Sequence, residues 1–130
     1  MRDPTTCTVL YKILTPQEKD ALPATNWAGT ALDTKDGFIH LSSADQLAGT
    51  LERFFSPATG CGDTLYLYTF DRATVDKPRE TPIKLQFDPA IGTFFGHIYG
   101  SINPQSDFSD PIEIKRSSSS GLFELPSLQF

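Results

Sequence analysis

Cysteine is scarce in this chain: Cys7 and Cys61 are the two among 130 residues, and neither stands in a C-x-x-C or Cys/His spacing of the kind that holds zinc. Free thiols are therefore expected rather than a disulfide, and no metal is needed to explain folding. Long hydrophobic runs are absent as well. No uninterrupted apolar stretch reaches the roughly 18 residues of a membrane span, and no charged segment followed by an apolar run opens the chain. The expectation is a soluble, cytoplasmic protein with no membrane partner. Positive charge is thin and dispersed, with eleven basic against sixteen acidic residues for a net charge of −5. Only Lys115 and Arg116 are adjacent, so the basic patch that displaces counterions from a duplex is missing and nucleic acid is excluded as an expected partner. A small molecule is favoured instead. The chain also has no G-x-S-x-G elbow and no nucleotide-binding glycine fingerprint.

What is present is enough for one domain, residues 1–130, able to bury about two thirds of its unfolded surface. CTVLYKIL, residues 7–14, reads as a first strand with Val9, Tyr11 and Ile13 on one face and Leu10 and Lys12 on the other. Thr15, Pro16 and Glu18 form the capping box of a short helix that Pro23 stops. Residues 24–35 are polar and small and read as a loop carrying Trp27. DGFIHLSS, residues 36–43, then brings a strand with Phe38 and His40 on one face to a Ser-Ser pair that begins a helix. Ser43 with Gln46 makes a second capping box, and Ala44, Leu47, Ala48, Leu51, Phe54 and Phe55 have the spacing of a buried helical face. TLYLYTF, residues 64–70, alternates between two apolar faces as a central strand does. A strand through Ile83, Leu85 and Phe87 is expected to close at Pro89. TFFGHIYGSI, residues 93–102, places Phe95, His97 and Tyr99 on one face and two glycines on the other, where close approach of a backbone or ligand is expected. Residues 111–115 read as an edge strand and Ser117 to Ser120 as a flexible loop. The fold class is α+β: a mixed, mostly antiparallel and possibly split sheet with one main helix and one short one.

The two histidines each lie in one of the two most informative stretches. Imidazole moves protons near neutral pH or hydrogen-bonds a hydroxyl or carbonyl, so His40 and His97 facing one cleft are the candidate catalytic pair. Each has a structural rival, a buried ring satisfied by a backbone carbonyl. Phe38, Phe95 and Tyr99 share the histidines' faces and are candidate ligand contacts. Ser42 and Ser43 cap the helix first, and its N-terminus suits an anionic or polar ligand. Trp27 either lines the pocket or anchors its loop on the core. Asp88 caps a loop or points into the site, Asp36 makes the turn before Gly37, and Asp33 assists it. Lys12 reads as a solvated edge lysine and Arg53 as the wet face of its helix. No short-range ligand spacing supports a metal.

Tyr11-Lys12-Ile13, Asp36 to Ser42 with Gln46, Arg53-Phe54-Phe55, His97-Ile98-Tyr99-Gly100 and the closing residues Phe123 to Pro126 resemble, in this order, the family called domain of unknown function 952. The resemblance implies a fold related to the ADP-ribosyltransferase superfamily, whose members bind NAD between two small sheets. It also implies a ribose-contacting role for His40 and a nicotinamide-facing role for Tyr99. The chain departs from the family pattern at Phe95-Gly96-His97, where proline usually stands at the middle position. It offers Phe87-Asp88 where the family tends to follow an aromatic with an acidic residue, and no glutamate falls on a matching motif.

Three functions are compatible with these features. The first is a cofactor-free acid–base enzyme, an isomerase, cyclase, lyase or hydrolase, acting on a small organic metabolite in a His/aromatic cleft. The second is an NAD- or ADP-ribosyl-binding transferase or glycohydrolase. The third is a ligand-binding module without catalysis.

Overall fold

The computed structural model describes residues 2–130. Two three-stranded antiparallel sheets carry the architecture. In the first, β1 (Val9–Leu14) and β6 (Ile112–Lys115) flank β3 (Thr64–Asp71); in the second, β2 (Ile39–His40) and β4 (Lys84–Ala90) flank β5 (Thr93–Tyr99). The expected split of the sheet is thus a division into two.

The alternation read from β1 and β3 decides where the core lies. Leu10, Leu14, Tyr68 and Phe70 face the second sheet and pack with Ile39, Leu41 and Ile98. Val9, Tyr11, Ile13, Leu65 and Leu67 face the other way, against Leu47 and Leu51. The first sheet is consequently buried on both faces, and every residue of β1 is buried, Lys12 included. Lys12 is not the solvated edge lysine its position suggested.

The two sheets are joined where the segment after β2 meets β1. Tyr11 and Ser42 exchange backbone hydrogen bonds of 2.7 and 2.9 Å, while Leu41 N–H donates to the Gly96 carbonyl at 2.9 Å. One chain segment therefore touches both sheets, and the residues just before it, Phe38 to His40, stand at the junction.

Among the described residues four short α-helices complete the fold: α1 (Pro16–Asp20), α2 (Ala31–Asp36), α3 (Leu47–Phe54) and α4 (Pro104–Asp107). The Thr15/Glu18 box caps α1 as read. The loop expected over residues 24–35 is corrected by α2, whose own capping box uses aspartate: Asp33 N–H donates to Thr30 Oγ1 at 3.3 Å and Thr30 N–H to Asp33 Oδ2 at 2.8 Å. Asp36 and Gly37 accordingly end a helix, with Gly37 at φ 88°, and do not make a free-standing turn. The helix expected from residue 44 starts as a 3₁₀ turn over Ala44–Gln46. Its buried face is narrower than the periodicity suggested, since Leu47 and Leu51 are buried but Phe54 is 52% exposed.

Pro89 does not close β4. The strand runs through it because β4 is a sheet edge, where proline's missing N–H leaves no ladder bond unmade. Gly96 has a packing reason: a Cβ there would meet Leu10 Cδ2 at 3.2 Å, so the close approach is by a core side chain, not a ligand. Ser117 to Ser120 form a hydrogen-bonded turn, closed by Ser117 N–H to the Leu122 carbonyl at 2.7 Å. Cys7 is buried and Cys61 half-buried, both free thiols. No helix among the described residues is long and apolar enough to cross a membrane.

Candidate active site

A cleft of about 700 Å³ opens at the junction of the sheets, lined from β1 by Tyr11 and Lys12, from α2, β2 and the link between them by Asp33, Asp36, Phe38 and His40, and from β4 and β5 by Asp88, Phe95, His97 and Tyr99. Its central feature follows from strand register. His40 on β2 is the direct partner of His97 on β5, so the two rings leave the sheet on one face, with centroids 5.2 Å apart. Phe38 lies on the same side, stacked on His97 at 4.0 Å and 19° and tilted against His40 at 4.8 Å and Tyr99 at 5.3 Å.

Each histidine has its own carboxylate. Asp88 Oδ2 lies 2.7 Å from His97 Nδ1 and accepts the Tyr99 hydroxyl at 2.6 Å, while Gln86 Nε2 donates to the other oxygen. Hydrogen bonds from Gln86, Tyr99 and His97 hold the Asp88 carboxyl down at about 2, and the Tyr99 phenol is pushed up by the same contact. Burial lowers the His97 pKa against the opposing pull of Asp88. A neutral His97 beside an ionised Asp88 carries its proton on Nδ1, which leaves Nε2 with a free lone pair. Among the described residues nothing in the protein hydrogen-bonds that nitrogen.

Asp33 serves His40 and more. It is fully buried; one oxygen lies 2.6 Å from His40 Nδ1 and also accepts the His40 backbone N–H at 3.1 Å, while the other takes Lys12 Nζ at 2.7 Å. Lys12 Nζ also donates to the His40 carbonyl at 3.1 Å. Burial alone would raise the Asp33 carboxyl, but the His40 hydrogen bond and the Lys12 charge prevail and hold it far below the usual carboxylate range. Burial depresses Lys12 in turn, with Asp33 opposing. The outer nitrogen of His40, Nε2, lies 3.1 Å from Asp36 Oδ2. Gly29, at φ 109°, leaves room for this hub, since a Cβ there would stand 2.3 Å from that of Asp33.

The structure brings together His40, His97, Phe38, Phe95, Tyr99, Asp88 and Ser42 of the residues predicted from sequence. It leaves out two. Trp27 packs edge-on against Phe108 at 6.0 Å and pairs with Ile102, the anchoring role rather than the ligand one. Ser43 is fully buried: its N–H goes to Gln46 Oε1 at 3.0 Å, and its hydroxyl has no partner among the described residues. Ser42 lines the cleft, but its hydroxyl is shared with Thr50 at 3.1 Å. The serine pair thus forms no anion cradle. Lys12 and Asp33 are the residues sequence reasoning missed in this role; a lone lysine within the otherwise apolar strand Val9 to Leu14 is the sequence signal for Lys12. Arg53 is exposed as expected, 5.9 Å from the Phe95 ring. No group of three or more His, Cys, Asp or Glu among the described residues is arranged to hold a metal.

All the stretches that build this site except Tyr11 and Lys12 lie within residues 13–106, which match the family described as "Protein of unknown function (DUF952)". The chain belongs to the DUF952 family. It is similar to protein CC0527 from Caulobacter crescentus: the crystal structure is 26% identical, covers 90% of this chain and 94% of that one, and superposes with a TM-score of 0.70. The solution NMR structure of CC0527 is 25% identical over 88% and 90% of the two chains, with a TM-score of 0.64. No curated protein matches. A DUF952 chain with an antiparallel α+β fold is thus established, while the chemistry rests on the cleft.

Proposed function

We propose that this DUF952 protein is a cofactor-free enzyme that moves protons on a small organic metabolite, with His97 as general base and His40 as general acid. The observation that carries the reading is the pairing of two facing histidines, each with a carboxylate on Nδ1, in one aromatic cleft. His97 offers a bare Nε2. His40 lies between the carboxylates of Asp33 and Asp36, 2.6 Å from Nδ1 and 3.1 Å from Nε2, a surround that suits the proton-donor role. Asp36, at 38% side-chain exposure, is the partner a substrate oxygen displaces. Tyr99 and Phe38 hold the imidazoles in place. Such positioned acid–base pairs contribute about 10²–10⁴-fold each, enough for isomerase, cyclase, lyase or hydrolase chemistry.

A test that needs no prior substrate is incubation with a small-metabolite extract in deuterated water, followed by mass spectrometry. Isomerisation appears as deuterium uptake, and hydrolysis or cyclisation as gain or loss of water. Change with the wild type that vanishes in His97→Gln supports the reading. Equal change in a His40→Ala/His97→Ala double variant, or none with the wild type, sinks it, and a metabolite that binds unchanged makes the protein a ligand-binding module.

A second reading, an NAD- or ADP-ribosyl-directed activity on an ADP-ribosyltransferase-like fold, draws support from the cleft between two small sheets with His40 and Tyr99 on its wall. Nicotinamide release and NAD binding at millimolar concentration are its tests. The lining carboxylates Glu18, Asp33, Asp36 and Asp88 against the single ammonium of Lys12 oppose a pyrophosphate, and the acid–base reading is preferred.

A further inference from the structure

The tip of the β4–β5 hairpin is built against local preference. Ala90 pairs with Thr93, so Ile91 and Gly92 are a two-residue loop, and both have positive φ, 53° and 74°. That is the signature of a type I′ turn, in which asparagine or aspartate precedes glycine. Isoleucine is among the residues least suited to it, because its branched Cβ crowds the backbone in the left-handed region. Burial does not compensate: Ile91 is 62% exposed. A strained and exposed isoleucine contributes nothing to folding that asparagine would not supply better, and strain of this kind collects at functional sites.

Its position supplies the reason. Ile91 stands at the mouth of the cleft with Leu32 from α2 and Phe54 from the end of α3, which are 51% and 52% exposed. Three unrelated elements thus present large apolar side chains to solvent around one opening. Below them the lining charge is negative, because once Lys12 and Asp33 pair with each other the carboxylates of Glu18, Asp36 and Asp88 remain.

We propose that Ile91 is a substrate-contacting, specificity-determining residue, closing with Leu32 and Phe54 over the apolar body of a substrate whose polar head is cationic or uncharged. This rests on the small-molecule reading of the cleft. It adds which end of the substrate goes where and excludes carboxylate and phosphate heads.

The probes are n-alkylammonium ions from ethyl to hexyl, the matching alcohols and the matching carboxylates, with affinity read from methyl chemical shifts of the labelled protein. For ammonium ions and alcohols the wild type should gain about three- to fourfold per methylene that reaches the rim, and carboxylates of equal length should bind at least tenfold more weakly. Ile91→Asn creates the preferred Asn-Gly turn and should raise Tm by roughly 2–5 °C, yet weaken hexylammonium binding several-fold and leave ethylammonium unchanged. Phe54→Ser, at another rim element, should flatten the same length dependence. The proposal is overturned if no probe binds the wild type, if carboxylates bind as well as ammonium ions, or if Ile91→Asn leaves the length dependence intact. It is equally overturned if that variant only converts a dimer to a monomer in sedimentation, since the rim then meets a second copy. Failure of the catalytic reading shows separately, as an absence of His97-dependent turnover while the probes still bind.

Discussion

Lys12 Nζ lies 2.7 Å from Asp33 Oδ2, with side-chain exposures of 7% and 1%. An ion pair so far from water is a constraint more than a source of stability: desolvation offsets most of the attraction, but removal of one member strands the other. Asp33 also orients His40, so the pair couples the core of the first sheet to the cleft.

Lys12→Met should therefore destabilise the fold by about 3–5 kcal/mol. Asp33→Leu, which strands the ammonium and frees His40, should cost a similar amount, while a Lys12→Met/Asp33→Leu double variant recovers much of the loss. Urea unfolding of the four proteins measures this. Simple addition of the two single effects in the double variant would show that the groups do not act as a pair.

Asp88→Asn replaces an acceptor of three hydrogen bonds by a group that cannot accept them all. With His97 no longer held as the Nδ1–H tautomer, any turnover found for the protein should fall by about 10²–10⁴-fold. Imidazole ¹⁵N shifts should report a mixed tautomer. A wild-type tautomer together with full activity would remove Asp88 from the mechanism.

Stability should fall in two stages as the solution is acidified. The folded-state pKa of His97 is depressed, so the unfolded chain takes up that proton first and stability is lost as pH drops below about 6.5, the ordinary histidine value. The carboxyls of Asp33 and Asp88 are also depressed, that of Asp88 to about 2. Their contribution is present above the ordinary value of about 3.9 and disappears as pH falls through the folded-state values. In His97→Gln the upper stage should vanish and the lower remain; persistence of the upper stage would assign it to another group.

Gly96→Ala brings a methyl group to 3.2 and 3.3 Å from the two Cδ atoms of Leu10 and 3.4 Å from the Phe87 ring. Overpacking of this order costs about 1–3 kcal/mol. A Leu10→Val substitution in the same chain should restore part of it. A Gly96→Ala protein as stable as the wild type would mean that Leu10 has room to turn away.

Much of the scaffold was legible in the linear chain because the terms involved are local. Alternation assigned the two faces of β1 and β3, Thr15 and Glu18 marked the start of α1, and the period of two put Phe38 with His40 and Phe95 with His97 and Tyr99. Where local signals compete, the reading failed. The aspartate of the Thr30/Asp33 box reads equally well as a turn residue, so α2 was missed, and Pro89 reads as a terminator unless the strand is known to be an edge.

Which residues share a strand face, where the two histidines sit and how little positive charge a polyanion would meet are all properties of the linear chain. These follow from backbone geometry and composition. That His40 and His97 are register partners, that Asp33 is a buried anion held by Lys12, that Trp27 packs against the core and that Ser43 is buried away from the cleft are properties of the folded chain alone. Pairing, desolvation and exposure depend on contacts between segments far apart in the chain, and those exist only once the two sheets have packed against each other.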